Sequence, residues 1–220
     1  MKINTDGVLL GALAEVKKSK TICDIGTGTG VISLMLAQRN HEASIDAIDV
    51  DFNAVDTASI NFSDSLFRER LHCHHHSMED FFELHPDRTY DLIISNPPFF
   101  LNALKSPSQT KNLAKHTNES FFADMLNIAS NHLNDDGHLQ VVVPMEISRL
   151  LQNLASDYHL YHQECIAIKS FEDKNPIRHI LKFGKTKVDQ IDFHDFVIYK
   201  QQGEHSLQYI AALKDFFTIF

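Results

Sequence analysis

Apolar residues follow two spacings along this chain: short unbroken runs, and longer stretches that recur every three or four positions. The runs Thr21-Ile22-Cys23-Asp24-Ile25 and Tyr90-Asp91-Leu92-Ile93-Ile94 are short, rich in β-branched side chains and soon closed by glycine or proline. Such runs read as buried strands. The same reasoning predicts strands at 44–48, 72–76 and 138–143, and helices at 31–38, 52–62, 121–132 and 146–154. Strands and helices that alternate across short connections imply a parallel sheet with helices on both faces. Segments 164–169 and 177–183 leave no room for a crossover helix, so they are expected to form an antiparallel hairpin at the sheet edge. The stretch 191–220 adds a candidate strand at 193–199 and a helix rich in Leu, Ile and Phe. With no internal repeat and no linker, residues 1–220 read as a single α/β domain. It would hold a doubly wound, mostly parallel, seven-stranded sheet, with an N-terminal helix within 1–18 and a C-terminal extension at 191–220.

Composition narrows this picture. A chain of 220 residues with a hydrophobic fraction of 43% can fill one core, and 8 Gly with 6 Pro is too few for a disordered chain. No apolar run approaches the roughly 20 residues that span a bilayer, so no membrane partner is expected. Cys23, Cys73 and Cys165 are odd in number and scattered, which suits reduced thiols in a cytoplasmic protein. A formal charge of -9 is unusual for a nucleic-acid partner, because phosphate binding normally shows as a basic excess. Positive charge is local: Lys105, Lys111 and Lys115 follow one motif closely, and Arg178, Lys182, Lys185 and Lys187 cluster later. Lys105 and Arg178 are the members expected to meet a substrate.

The motif in question is Ser95-Asn96-Pro97-Pro98-Phe99, directly after the strand at 90–94. Two consecutive prolines fix their own φ angles and hold the preceding residue extended, so Asn96 should stand on a stiff shelf at the end of its strand. A carboxamide, a carbonyl beside a rigid proline and an aromatic ring suit a planar NH2 group. The Asn96 side-chain oxygen and the Pro97 carbonyl would accept its two N–H bonds, and Phe99, with Phe100 beside it, would offer a face to stack on. Asn96, Pro97 and Phe99 are thus the expected catalytic residues.

A second motif, Asp24-Ile25-Gly26-Thr27-Gly28-Thr29-Gly30, leaves the first strand and opens a helix. Glycines there let the backbone approach a ligand and leave helix N–H groups facing it. The dinucleotide fingerprint needs its third glycine one place later, where this chain has Val31. The spacing therefore suits a ligand without a pyrophosphate. Asp49, at the end of the second strand, is placed to accept ribose hydroxyls, which together with the loop points to an adenosine cofactor.

Asp24 to Gly30, Asp49 and Asn96 to Phe99, in that order, resemble the class I S-adenosylmethionine-dependent methyltransferases that modify amino or amide nitrogen. Asn4-Thr5-Asp6-Gly7-Val8-Leu9-Leu10-Gly11, Asn96 to Phe100 and Tyr209-Ile210-Ala211-Ala212-Leu213-Lys214-Asp215-Phe216-Phe217 resemble, more narrowly, the tRNA1(Val) adenine-N6 methyltransferase family. The resemblance implies a Rossmann-like class I methyltransferase fold, S-adenosyl-L-methionine as cofactor and an anticodon-loop adenine of tRNA as substrate. It places Thr5 and Asp6, on a cofactor lid, near the methionine end, Asp24, Gly26 and Gly28 along the amino acid moiety, Asp49 at the ribose, and Ser77 and Met78 at the adenine, with Gly30 also among the cofactor-binding residues. Relatives often carry an acid where this chain has Ser77, so Glu79 or backbone groups are expected to hold the adenine amine. Two other readings stand beside this one: a protein glutamine-N5 methyltransferase, whose substrate presents a similar planar NH2, and a scaffold that binds the cofactor without turnover.

Other signals weigh less. His72, His74, His75 and His76 alternate faces of one strand, an arrangement that rarely converges on a tetrahedral ion, so no metal is expected. The pairs Phe81-Phe82, Phe121-Phe122 and Phe216-Phe217 read as packing.

Overall fold

The computed structural model describes residues 4–97 and 109–218, with 109–118 as backbone only. The first half of the chain runs α1 (Thr5–Leu13), β1 (Thr21–Ile25), α2 (Val31–Arg39), β2 (Ser44–Asp49), α3 (Phe52–Ser63), β3 (Leu71–His75), α4 (Met78–Leu84) and β4 (Tyr90–Ser95). The second half runs α5 (Gln109–His132), β5 (Leu133–Val143), α6 (Met145–Leu154), β6 (Tyr161–Lys169), β7 (Pro176–Gly184), β8 (Asp192–Val197), β9 (Tyr199–Gln201), β10 (Glu204–His205) and α7 (Leu207–Leu213).

The main sheet has the order β3-β2-β1-β4-β5-β7-β6-β8. β1 to β5 pair in parallel, β7 runs antiparallel to both β5 and β6, and β8 lies parallel to β6. The doubly wound, mostly parallel arrangement is as expected, but two details are corrected. The sheet has eight strands rather than seven, and the β6–β7 hairpin is not the edge, because β8 covers it. The connection 185–191 easily spans the roughly 10 Å needed to cross one strand, and it returns the chain outside β6. The β8 sequence carries too many polar residues for its pairing to be read from alternation.

Alternation along the strands builds two cores. Ile22, Ile45, Leu92 and Val142 face one side, beneath α1, α2 and α3, with Leu9, Leu36 and Phe62 packed on them. Cys23, Ile48, Ile93 and Val141 face the other, beneath α4, α5 and α6, with Phe81, Phe122 and Leu151. Each such aliphatic or aromatic side chain stabilises the fold by about 1.5–3 kcal/mol through burial. α4 was not foreseen, although its start is well specified: Ser77 Oγ accepts from Asp80 N at 3.1 Å, and Glu79 and Asp80 sit in the first turn.

α1 closes the site from the side. Val8, Leu9 and Leu10 are buried, and Gly11 rests so close on Met35 that a Cβ there would lie 2.9 Å from its Sδ. Ion pairs fasten the N-terminal segment to β7: Asp6 of the helix with Arg178 at 2.8 Å, and Glu15, just past the helix, with Lys182. Because β1 leads to β2 on one side while β4 pairs on its other side, the sheet has a switch point at the C-terminal ends of β1 and β4. In open α/β sheets that crevice is where ligands bind.

Candidate active site

A cavity of about 620 Å³ opens at this switch point. Its walls are the ends of four strands: Gly26 to Thr29 after β1, Asp49 and Val50 after β2, His76 to Glu79 after β3, and Ser95 to Pro97 after β4. Asn4 and Gly7 of the α1 region, Val31 and Ile32 at the start of α2, and Phe121 of α5 also line it.

The glycine turn is docked on β2. The Ile48 carbonyl accepts from Gly26 N at 2.9 Å and from Thr27 N at 3.0 Å. Gly26, Gly28 and Gly30 hold φ of 72°, 60° and 79°, a region that only glycine enters freely. A Cβ on Gly26 would meet nothing within 4 Å, so the backbone there faces open cavity. On Gly30 a Cβ would lie 2.4 Å from the Phe62 ring, so that glycine serves the packing of α2 on α3. Asp49 accepts from Gly28 N through Oδ2 and from Asp51 N through Oδ1, each at 2.9 Å. These bonds fix its carboxylate at the cavity wall, and each oxygen keeps a second lone pair.

Asp24 lies behind the turn rather than in the wall. It has no exposed surface, and its Oδ2 accepts from Thr27 Oγ1 at 2.8 Å and Ser33 Oγ at 2.7 Å. Its Oδ1 has no hydrogen-bond partner among the described residues. Burial pushes its pKa up to about 6; the Ser33 and Thr27 hydrogen bonds oppose the rise, and the charge of Asp49 adds to it.

Asn96 lines the same cavity as the glycine turn. Below it, Ser95 Oγ donates to the Ile25 carbonyl at 2.8 Å, tying the end of β4 to the end of β1. The Asn96 carboxamide Nδ2 donates to Asn4 Oδ1 at 3.2 Å, and the same oxygen accepts from Gly7 N at 2.8 Å.

Of the residues expected from the sequence, Gly26, Gly28, Asp49, Ser77, Met78, Glu79, Asn96 and Pro97 converge on this cavity. Thr5, Asp6, Asp24, Gly30 and Arg178 do not line it. Arg178, expected at the substrate, instead donates to Asp6 Oδ2 and to the Ile177 carbonyl, so the two charges meet each other. Phe99, Phe100 and Lys105 lie outside the described residues. Asn4, Gly7, Val50, His76 and Phe121 were missed. An N-cap signal, Asn4 just before an apolar helix, was available for the first; Phe121 reads as packing until α5 is seen to reach the cavity. Among the other histidines, His74 Nε2 bonds Asp46 Oδ1 at 2.7 Å, and His75 sits edge-on to Phe52.

A family model described as methyltransferase small domain matches residues 4–164. The chain belongs to that family. The chain is also similar along its length to proteins named tRNA1(Val) (adenine(37)-N6)-methyltransferase. That of Pedobacter heparinus is 40% identical over 220 residues, covering 100% of this chain and 92% of the relative. That of Flavobacterium johnsoniae is 36% identical, covering 99% and 92%. Among solved structures, this methyltransferase superposes on a protein described as a predicted O-methyltransferase from Agrobacterium tumefaciens with a TM-score of 0.71, 16% identity and 96% of each chain covered. A methyltransferase from Pyrococcus furiosus gives 0.57 at 19% identity, with 82% and 81% covered. These two likenesses concern the fold alone, and the fold is the class I methyltransferase one. Family and fold together imply S-adenosylmethionine as methyl donor.

Proposed function

We propose that this enzyme transfers a methyl group from S-adenosylmethionine to the exocyclic N6 amine of an anticodon-loop adenine in tRNA, and that it works in the cytoplasm. The observation that carries the reading is that Asn96 and Pro97 share one cavity with the glycine turn and Asp49. The relatives named tRNA1(Val) (adenine(37)-N6)-methyltransferase support the choice of substrate.

The residues present fit the cofactor. The cavity lies within the roughly 300–1,000 Å³ usual for small-molecule sites. Gly26 offers backbone facing open space that a side chain would fill, and Asp49 offers lone pairs for ribose hydroxyls. Gly26 and Gly28 would run along the amino acid end, and Ser77, Met78 and Glu79 would flank the adenine. Asp24 would contribute through the turn, by holding Thr27 and Ser33. When bound, the cofactor supplies a methyl group made electrophilic by its sulfonium.

The chain's own part is orientation. An adenine amine is a poor nucleophile because its lone pair is delocalised into the ring. Acceptance of its N–H groups by the Asn96 carboxamide oxygen and the Pro97 carbonyl favours a pyramidal nitrogen with a directed lone pair. No strong base is required, since the nitrogen becomes acidic only as its new bond forms, and the proton then passes to water. Fixed geometry of this kind is worth several kcal/mol. An unpaired loop base costs little to turn outward, and Phe99 is proposed to stack on it, with Phe100 and Lys105 beside it.

Incubation with methyl-labelled cofactor and unmodified tRNA, followed by digestion to nucleosides, tests the reading. Label is expected in N6-methyladenosine. Label in another nucleoside, or in a release-factor glutamine when that protein is offered instead, would overturn it.

A further inference from the structure

The carboxamide of Asn96 can do its work only in one orientation. Its oxygen, not its NH2, must be left for an incoming amine, and rotation by half a turn about the last side-chain bond exchanges the two at little steric cost. The neighbouring hydrogen bonds decide which end faces where. Gly7 N is a peptide donor and nothing else, so the Asn4 atom that receives it at 2.8 Å must be the carbonyl oxygen. The group of Asn96 that lies 3.2 Å from that same oxygen must then be the NH2, because two oxygens at this distance would repel. The polarity of one backbone amide is thus relayed through Asn4 to Asn96, and the Asn96 oxygen remains as the acceptor on a residue that lines the cavity.

Gly7 makes the relay sterically feasible. A Cβ at that position would lie 3.2 Å from Asn96 Nδ2 and 3.3 Å from Asn4 Oδ1, tighter than ordinary contacts. Asn4 thus has two roles: it is the N-cap of α1, and it reaches across 92 positions to the end of β4.

We infer that Asn4 is a positioning residue for methyl transfer, which orients the Asn96 carboxamide so that its oxygen is presented to an N–H donor of the substrate. The inference rests on the proposed amine chemistry for its consequence in turnover, but the orientation itself is a property of the ligand-free protein. It also implies a preference at this site for substrates that bring an N–H donor over those that bring only an acceptor.

Two substitutions separate the roles. Asn4→Ser keeps an N-cap oxygen for Gly7 N but is one atom too short to reach Asn96. Asn4→Asp keeps both acceptors. In ligand-free protein, solvent exchange of the Asn96 side-chain NH2 protons is followed by NMR, the signal being identified by its loss in Asn96→Asp. One of the two protons is expected to be protected in the parent and in Asn4→Asp, and to exchange several-fold faster in Asn4→Ser. With tRNA, kcat is expected to fall about 10- to 100-fold in Asn4→Ser, with KM for the cofactor and the melting temperature little changed, and to be largely recovered in Asn4→Asp. Equal exchange in the parent and Asn4→Ser overturns the inference, as does an undiminished kcat in Asn4→Ser. If the parent methylates no tRNA adenine, the proposed function fails, and the exchange measurement still decides whether Asn4 orients Asn96.

Discussion

Two aspartates on neighbouring strands, Asp24 on β1 and Asp46 on β2, point to opposite faces of the same sheet and have opposite surroundings. Asp46 is saturated: His74 Nε2 meets its Oδ1 at 2.7 Å, while Arg88 and Tyr90 donate to its Oδ2 at 2.7 and 2.8 Å. Burial alone would raise its pKa, but the His74 and Tyr90 hydrogen bonds and the charges of Arg88 and His74 hold it below the usual carboxylate value. Asp24 takes the Thr27 and Ser33 hydroxyls on one oxygen, leaves Oδ1 without a partner among the described residues, and sits at about 6. A closed set of partners around a charge marks a part of the fold that is finished. An open set marks a part that spends stability to stay ready for something else, and here the open set underlies the cavity.

Three experiments would break or sharpen this contrast. The largest effect is expected at the cavity itself. Asn96→Ala should lower turnover roughly 10²–10³-fold while leaving cofactor affinity, measured by calorimetry, close to the parent; near-normal turnover would remove Asn96 from the chemistry. Next in size is Asp46→Ala, which strips the partner from the half-buried Arg88 and from Tyr90. Urea unfolding at pH 7 should show a loss of about 2–3 kcal/mol, with the ratio of kcat to KM for the folded protein nearly unchanged.

The smallest effect has the opposite sign. For Asp24 the folded value of about 6 lies above the ordinary carboxylate value of 3.8, so the folded state holds the extra proton between these limits. Its cost is therefore present above pH 6 and is relieved as pH falls towards 4. Asp24→Asn, neutral at all pH, should stabilise the ligand-free protein by about 1–2 kcal/mol at pH 7 and by less at pH 5. Thermal unfolding at the two pH values reads this directly, and a less stable variant at pH 7 would show that the carboxylate acts as structural glue.

The same contrast explains what could be read from the sequence. Strands β1, β2 and β4 and helices α2 and α3 were evident because short β-branched runs and periodic apolar positions are local signals. That Asn96, Asp49 and Gly26 lie at one cavity was legible because strand ends and breakers are local too. The fate of Arg178 was not: its partner Asp6 lies 172 positions away, and no spacing rule reaches that far. Asp24 was expected along the cofactor from the family resemblance, but inward alternation of β1 turns it beneath the loop. β8 was legible only as a candidate strand, since half its length is exposed and polar, and its place outside β6 depends on a return path that composition does not encode.

The ion pairs between the N-terminal segment and β7 carry a consequence for biogenesis. Asp6 and Glu15 leave the ribosome early, yet their partners Arg178 and Lys182 follow 172 and 167 positions later. These two ties therefore form only after most of the chain has been made, whereas the packing of α1 on α2 and the bonds of Asn4 to Gly7 and Asn96 draw on residues made earlier. The fully fastened N-terminal segment arrives at the end of synthesis, once the closing strands are in place.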